Sequence, residues 1–495
     1  MKINHNLFFW TLALIICTLM IPSRSFWMDE AFMTPSALQP TIIDWWNHLQ
    51  FDPISESLKP LYLLICWISA KTIGTSEWAF RSINIFWTLT AAVFLRISIP
   101  KYWGLGIATA FLLHPYVWHQ ASEARPYSMQ LACGAAMAWA IVKFSTNGHF
   151  KASEAWILAF ALMGVYGSSL LGAFAVFAFA VVLTLAILRK KFKITACIFY
   201  PIICTTIFCI LLSIQYLRGL SRGHGGSVLW VVGPMNIVAV AYEFFGFAGL
   251  GPPREELRTM ARQGFESLMN WGFEIGLLSI TVVLISATLA LRFTQEKKLS
   301  NSRPAVTYLF IFGLSACLLT SLSAFMKGWP FWGRHLAFAF PALFLGCALW
   351  LQNTRHCRNL TICLSLIVGI WAFASLRLRY VNTYLPEDNR TAALITRSII
   401  ANGGSAWWVA SPQAAFYYIN SGHSVLGEKI LSDKFQIVLQ GESFDACKQE
   451  ALPDLVVLGR EDTWDSNGLI REFITGAGYI CDKQLSGKIS VWKRK

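Results

Sequence analysis

Ionisable side chains are sparse in this chain, and where they occur they gather. Residues 119–127 read His119-Gln-Ala-Ser-Glu123-Ala-Arg125-Pro-Tyr127, with long apolar runs on both sides. Three more clusters share that character. Asp29 and Glu30 lie in Phe26-Trp-Met-Asp-Glu-Ala31. Glu56 and Lys59 precede Pro60-Leu-Tyr62. Arg334 and His335 end the stretch Trp329-Pro-Phe-Trp-Gly-Arg-His. Carboxylates can accept or return a proton. Cations can neutralise charge on an anion, and Arg can hold two oxygens at once. Each cluster alone reads equally well as an ordinary solvated span end with an interfacial aromatic belt. Their common placement at span ends favours chemistry at one membrane face.

The elements that must position these residues are membrane helices. The 495 residues are 55% hydrophobic and only 14% charged, with a mean hydropathy of +0.50. That is too apolar for a soluble protein of this length. The fold class expected is an all-α polytopic membrane protein with about 11 transmembrane helices, plus juxtamembrane helices and a small C-terminal α/β domain. The spans fall at 7–22, 82–98, 103–118, 127–142, 155–169, 171–188, 195–216, 273–292, 305–324, 335–351 and 359–376. The first run reads as a retained anchor rather than a cleaved signal, because no convincing small-residue cleavage site follows it.

Orientation follows from basic loops. Arg189 to Lys193, Glu296 to Lys298 with Arg303, and Arg355 with Arg358 are assigned to the cytoplasm. The N-terminus is then inside. The loops 23–81, 119–126, 217–272 and 326–334, and the tail, are then outside. Pro60 to Ala70 is too short to span and reads as a juxtamembrane or re-entrant helix. Val228 to Gly249 carries Pro234 and Glu243 and reads as an interfacial helix. The net charge of +14 matches cytoplasmic loops facing anionic lipid, and no basic-aromatic nucleic-acid motif is present. The expected location is a bacterial inner membrane, with residues 1–376 as the membrane domain and 377–495 as a soluble extracytoplasmic domain.

Within the tail, Trp407 to Ala410 and Leu455 to Gly459 have strand character, and Asn467 to Ile474 has helical character. Trp407, Trp408, Phe416, Tyr417 and Tyr418 read as core before they read as a sugar platform. Cys447 and Cys481 either pair or remain two thiols. His114, beside Pro115, reads as a hydrogen-bonded helix-end histidine. Gly219-Leu-Ser-Arg222-Gly-His224-Gly-Gly226 and Arg254 to Arg258 read as a flexible loop before they read as a phosphate cradle.

The order of these motifs carries a resemblance. Asp29-Glu30 comes first, then Lys59-Pro-Leu-Tyr62, then Gly74-Thr-Ser-Glu77-Trp-Ala-Phe-Arg81, then Glu123-Ala-Arg-Pro-Tyr127 and finally Gly333-Arg-His335. This sequence resembles the C-type superfamily of membrane glycosyltransferases. Within it the nearest members are the protein O-mannosyltransferases and the aminoarabinose transferase that modifies lipid A. The resemblance covers about the first 350 residues and is strongest over 24–130. It implies a cavity at the outer face and a sugar donor carried on polyprenyl phosphate. It implies Asp29 as catalytic acid/base, with Glu30 beside it. Lys59 matches a Lys-Pro-Pro motif whose second Pro is Leu61 here. The Glu that precedes this Lys in aminoarabinose enzymes, where it helps bind metal, is Leu58 here. A divalent metal therefore stays an open option.

A transferase needs a carboxylate near the acceptor hydroxyl, contributing about 10²–10⁴-fold, and cations near the phosphate oxygens. Asp29 is the expected base, and Lys59, Arg125 and Arg334 are the expected phosphate ligands. Glu123 either holds Arg125 or binds an acceptor hydroxyl. Tyr127 packs, and His335 supports the site. Inversion at the anomeric carbon is implied by the family. The acceptor class, whether glycolipid, glycan or protein, stays open. The competing readings are a lipid-linked sugar flippase and a non-catalytic glycan-assembly scaffold. A transporter calls for internal repeats and midplane polar groups, and the sequence offers neither.

Overall fold

The computed structural model describes residues 5–51, 55–99, 101–193, 195–221, 233–253, 271–293, 303–329, 331–352, 358–381, 384–385, 387–424, 426, 433–439, 441–447, 452–486 and 489–494. The chain forms two compact units. The first comprises Met1–Ile21, Pro53–Tyr62 and Arg81–Arg379, and the second Pro22–Asp52, Leu63–Phe80 and Tyr380–Lys495.

The first unit is helical. Every one of the expected spans overlaps a helix. Five helices have the length and apolarity to cross a membrane: Glu77–Ser98, Ala196–Ser221, Gly272–Phe293, Arg303–Lys327 and Arg358–Tyr380. Four shorter apolar helices, Leu7–Met20, Trp103–Leu112, Gly172–Leu188 and Phe340–Gln352, accompany them. Along the Phe199–Ser221 helix, Ile203, Ile207, Ile210, Leu211, Ile214 and Leu217 all lie exposed. An apolar surface of that kind on a helix of this length is suited to lipid. The protein is an integral membrane protein.

The innermost helix is Tyr127–Asn147, buried over most of its length. Its Ala and Gly positions let backbones approach, which is how helices associate in lipid. At Gly134 a Cβ would fall 2.2 Å from the Phe338 carbonyl oxygen. The helix ends where Gly148, at φ 72°, donates its N–H to the Phe144 carbonyl, a left-handed cap that glycine adopts without strain.

Two expected spans are shorter in fact. The 103–118 run is interrupted: one helix ends at Leu112 and another runs Pro115–Ala121. Proline has no N–H to continue the first helix but is well suited to start a second. His114 caps that second helix, its Nδ1 accepting from the Tyr116 N–H at 3.1 Å, as a helix-end histidine should. The 335–351 run becomes helical only at Phe340, after a single turn of 3-10 helix over Gly333–Leu336. The 60–70 stretch forms a helix over Pro60–Thr72, about 20 Å long at 1.5 Å per residue and short of a ~30 Å hydrocarbon core. In the 228–249 stretch a helix runs Pro234–Phe244. Residues 222–232 and 254–270, which hold the glycine-rich turn and the Arg254 to Arg258 run, lie outside the described residues, as do 294–302 and 353–357 with most of two basic loops.

The second unit carries a five-stranded sheet. Its strands are β1 (Ala406–Val409), β2 (Phe435–Ile437), β3 (Leu455–Gly459), β4 (Tyr479–Leu485) and β5 (Ile489–Arg494), in the order β2-β1-β3-β5-β4. The first three are parallel, and β5 runs antiparallel to both β3 and β4. β1 and β3 are wholly buried apolar runs, as central parallel strands should be. Trp407 belongs to one buried cluster with Val409, Val438, Phe444, Val456, Ile470 and Ile474. Trp408, Tyr417 and Tyr418 are buried too, while Phe416 is partly exposed. Cys447 is buried in the sheet core. Cys481 is an exposed free thiol on β4, so no bridge joins the two.

Candidate active site

The site residues divide between the two units. In the first unit, the 3-10 turn Ser55–Leu58 runs into the Pro60–Thr72 helix. Its carbonyls tie it down: Glu56 O accepts from the Lys59 N–H and Leu58 O from the Leu170 N–H. The Glu56 carboxylate is buried. Lys59 Nζ donates to its Oε1 at 2.5 Å, and Arg125 Nη1 donates to the same oxygen at 2.8 Å. Burial alone would raise the Glu56 carboxyl, but Arg125 and Lys59 outweigh it and hold the group below its ordinary value. Two cations thus share one anion in a largely buried setting. Breaking such an arrangement is costly, and cationic side chains held at fixed places suit a phosphate.

Arg125 itself sits on a fixed turn. Buried Asn84 donates through Nδ2 to the carbonyls of Ala121 and Glu123, at 3.0 and 2.6 Å. Glu123 is buried and pairs with His119 Nε2 at 3.4 Å. Tyr127 is buried at the start of the innermost helix. The Arg334 turn is held separately. The Tyr116 hydroxyl donates to the Gly333 carbonyl at 2.8 Å, which ties this turn to the short helix that leads into the Arg125 turn. The Trp332 N–H donates to His335 Nδ1 at 3.1 Å, and the His335 ring lies edge-on to Trp329. Both Arg334 and His335 are half-buried.

In the second unit, Asp29 and Glu30 lie on the short helix Met28–Ala31. Glu30 is fully buried, and its Oε2 accepts from the Trp27 N–H. Asp29 is half-buried. The segment before it is held at successive points. The Phe26 N–H donates to the Tyr418 hydroxyl at 2.7 Å. Asn389 Nδ2 donates to the Phe26 carbonyl at 3.0 Å. The Ser25 hydroxyl donates to the Glu387 carbonyl at 2.8 Å, and the Met28 N–H donates to Glu387 Oε2 at 2.9 Å. The Tyr418 hydroxyl in turn donates to Glu77 Oε1 at 2.9 Å, the oxygen that Arg390 pairs with at 2.7 Å. Burial pushes the Glu387 carboxyl up to about 7, well above its ordinary value; Arg460, the Met28 N–H and Asn389 pull against it, and the charge of Asp29 adds to the rise.

Sequence reasoning passed over two of these roles. Glu56 stands three residues before Lys59, a spacing that could have marked the pair. Glu387 had no such signal, since its partners lie some 360 residues away.

The metal option does not suit this donor set. Leu58 occupies the position of the metal-binding Glu, and the neighbouring Glu56 is already bonded to two cations. Among the described residues no group of three His, Cys, Asp or Glu side chains converges.

The fold can be compared with solved structures. ArnT from Cupriavidus metallidurans, solved bound to undecaprenyl phosphate, superimposes with a TM-score of 0.53. The alignment covers 99% of this chain and 98% of ArnT. The chain has the ArnT fold. The identity to ArnT is 9%, so the likeness speaks for the fold and not for individual residues. The arabinofuranosyltransferase AftD from Mycobacteria aligns at TM-score 0.42 and 12% identity, over 98% of this chain and 39% of AftD. No protein-family model and no curated protein matches the chain.

Proposed function

We propose that the chain is an inverting glycosyltransferase that uses a sugar carried on polyprenyl phosphate. The acceptor is a hydroxyl or phosphate group on a glycolipid, glycan or protein at the outer face of an inner membrane. The observation that carries this reading is the buried Glu56–Lys59–Arg125 triad, in which one carboxylate fixes two cationic side chains side by side. A lipid-borne phosphate is the anion such a site accommodates at a membrane surface. The undecaprenyl phosphate in ArnT supports the same donor class.

In the reaction the acceptor oxygen attacks the anomeric carbon while the carbon–oxygen bond to phosphate breaks. The bonding pair leaves on the phosphate oxygen, where Lys59, Arg125 and Arg334 stabilise it. Asp29 takes the acceptor proton. Glu123 and His335 shape the surroundings, and Glu30 secures the Asp29 turn. No step requires a soluble nucleotide.

The test uses purified protein in lipid with radiolabelled polyprenyl-phosphate sugars and a membrane extract as acceptor. Wild type should release polyprenyl phosphate and Asp29→Asn should not. Tight donor binding without release by wild type would transfer the reading to a flippase or scaffold.

A further inference from the structure

Glu387 is a buried carboxylate outside every motif of the membrane domain. Its local placement is dictated by sequence. Asp388 accepts from the Thr391 N–H and so caps the Asn389–Ala401 helix, which leaves Glu387 just ahead of the first turn. From there its side chain reaches the Met28 N–H, one residue before Asp29. On its other side stands Arg460, 3.8 Å away. Arg460 follows the last residue of β3 and adopts φ 37° and ψ 70°, a left-handed conformation that non-glycine residues avoid. Such strain persists where surrounding structure imposes it and often marks function.

We infer that Glu387 is a positioning residue for Asp29: anchored by Arg460 at the end of β3, its carboxylate fixes the backbone from which Asp29 projects. This rests on the transferase reading of Asp29. The bond to Met28 holds the turn in place, and bonds from Ser25 and Asn389 flank it. Among the described residues, Arg460 and Asp29 are the charged groups that act on Glu387. Since the Glu387 carboxyl titrates at about 7, it is neutral below pH 6 and anionic above pH 8. Its ionisation places a second negative charge near Asp29 and makes Asp29 a stronger base. The sheet domain thereby reaches into the chemistry through one carboxylate.

The test compares full-length wild type, Glu387→Gln and Glu387→Ala in lipid. Gln keeps an acceptor for the Met28 N–H and removes the charge, whereas Ala removes both. Hydrogen exchange at the Met28 amide is expected to speed at least about tenfold in the Ala variant and to stay within about twofold in the Gln variant. Turnover should fall about 10–100-fold in the Ala variant, with donor KM within about threefold, as expected of misplacement near the chemistry. The Gln variant should match wild type below pH 6 and lack the inflection near pH 7 in the kcat profile. Unchanged exchange or unchanged kcat in the Ala variant overturns the inference. So does a Gln variant as impaired as Ala below pH 6. If wild type turns over no donor, the transferase reading fails instead, and amide exchange alone decides whether Glu387 holds the turn.

Discussion

Asp29 and the Glu56 triad make different demands on the protein. Asp29 needs only partial burial and a fixed backbone. Asp29→Asn should therefore lower turnover by about 10²–10⁴-fold while the unfolding temperature stays within a few degrees, read by paired kinetic and thermal assays. Glu56 is structural to its two cations. Glu56→Gln leaves Lys59 and Arg125 without their shared counter-charge, and a broken buried pair costs about 3–5 kcal/mol. Thermal unfolding in detergent should show that loss directly. The pH dependence has a definite sign. With its carboxyl held low in the folded state, Glu56 stabilises fully above the unfolded value of about 4.3, and that contribution fades as pH falls through the lower folded value. Glu387 acts in the opposite sense. Its raised value, about 7, means that stability declines as pH rises from about 4.3 towards 7, and Glu387→Gln should flatten that slope. Lys59, Arg125 and Asp29 were legible as types in a pattern. The partnership of Glu56 with Arg125, 69 residues on, was not, because side-chain periodicity records neighbours within an element and not contacts across the fold.

Among the elements, membrane helices announce themselves through length and apolarity, so every expected span overlaps a helix. The departures have local causes. Pro115 divides one run, and the Gly333 turn delays another. Strands β1 and β3 were legible because central parallel strands are unbroken apolar runs. β4 was not, since most of its residues are exposed and no apolar alternation marks it. Close helix packing gives a sharp test. Gly134→Ala places a methyl 2.2 Å from the Phe338 carbonyl oxygen, and overpacking of this kind costs about 1–3 kcal/mol. Gly276→Ala, on a helix with nothing within 4 Å of the added carbon, serves as the control. Thermal unfolding should separate the two variants, with Gly276→Ala unchanged or slightly raised.

At the scale of the whole molecule, the second unit is discontinuous in sequence, combining 22–52 and 63–80 with 380–495. A chain ending at Arg379 should still insert its helices but show no measurable turnover, and its Phe26 and Met28 amides should exchange faster. The same discontinuity orders events in time. Glu387, Asn389 and Tyr418, which hold Phe26 and Met28, are synthesised some 359 to 392 residues after them. At about 5–20 residues per second, that interval lasts roughly 20 to 70 s. Throughout it the nascent chain lacks these bonds to its acidic turn, and under the proposed transferase reading a partly translated or prematurely terminated copy should be silent towards donor lipid already in the bilayer. On that reading, synthesis of the Glu387 to Tyr418 stretch is the step that licenses activity.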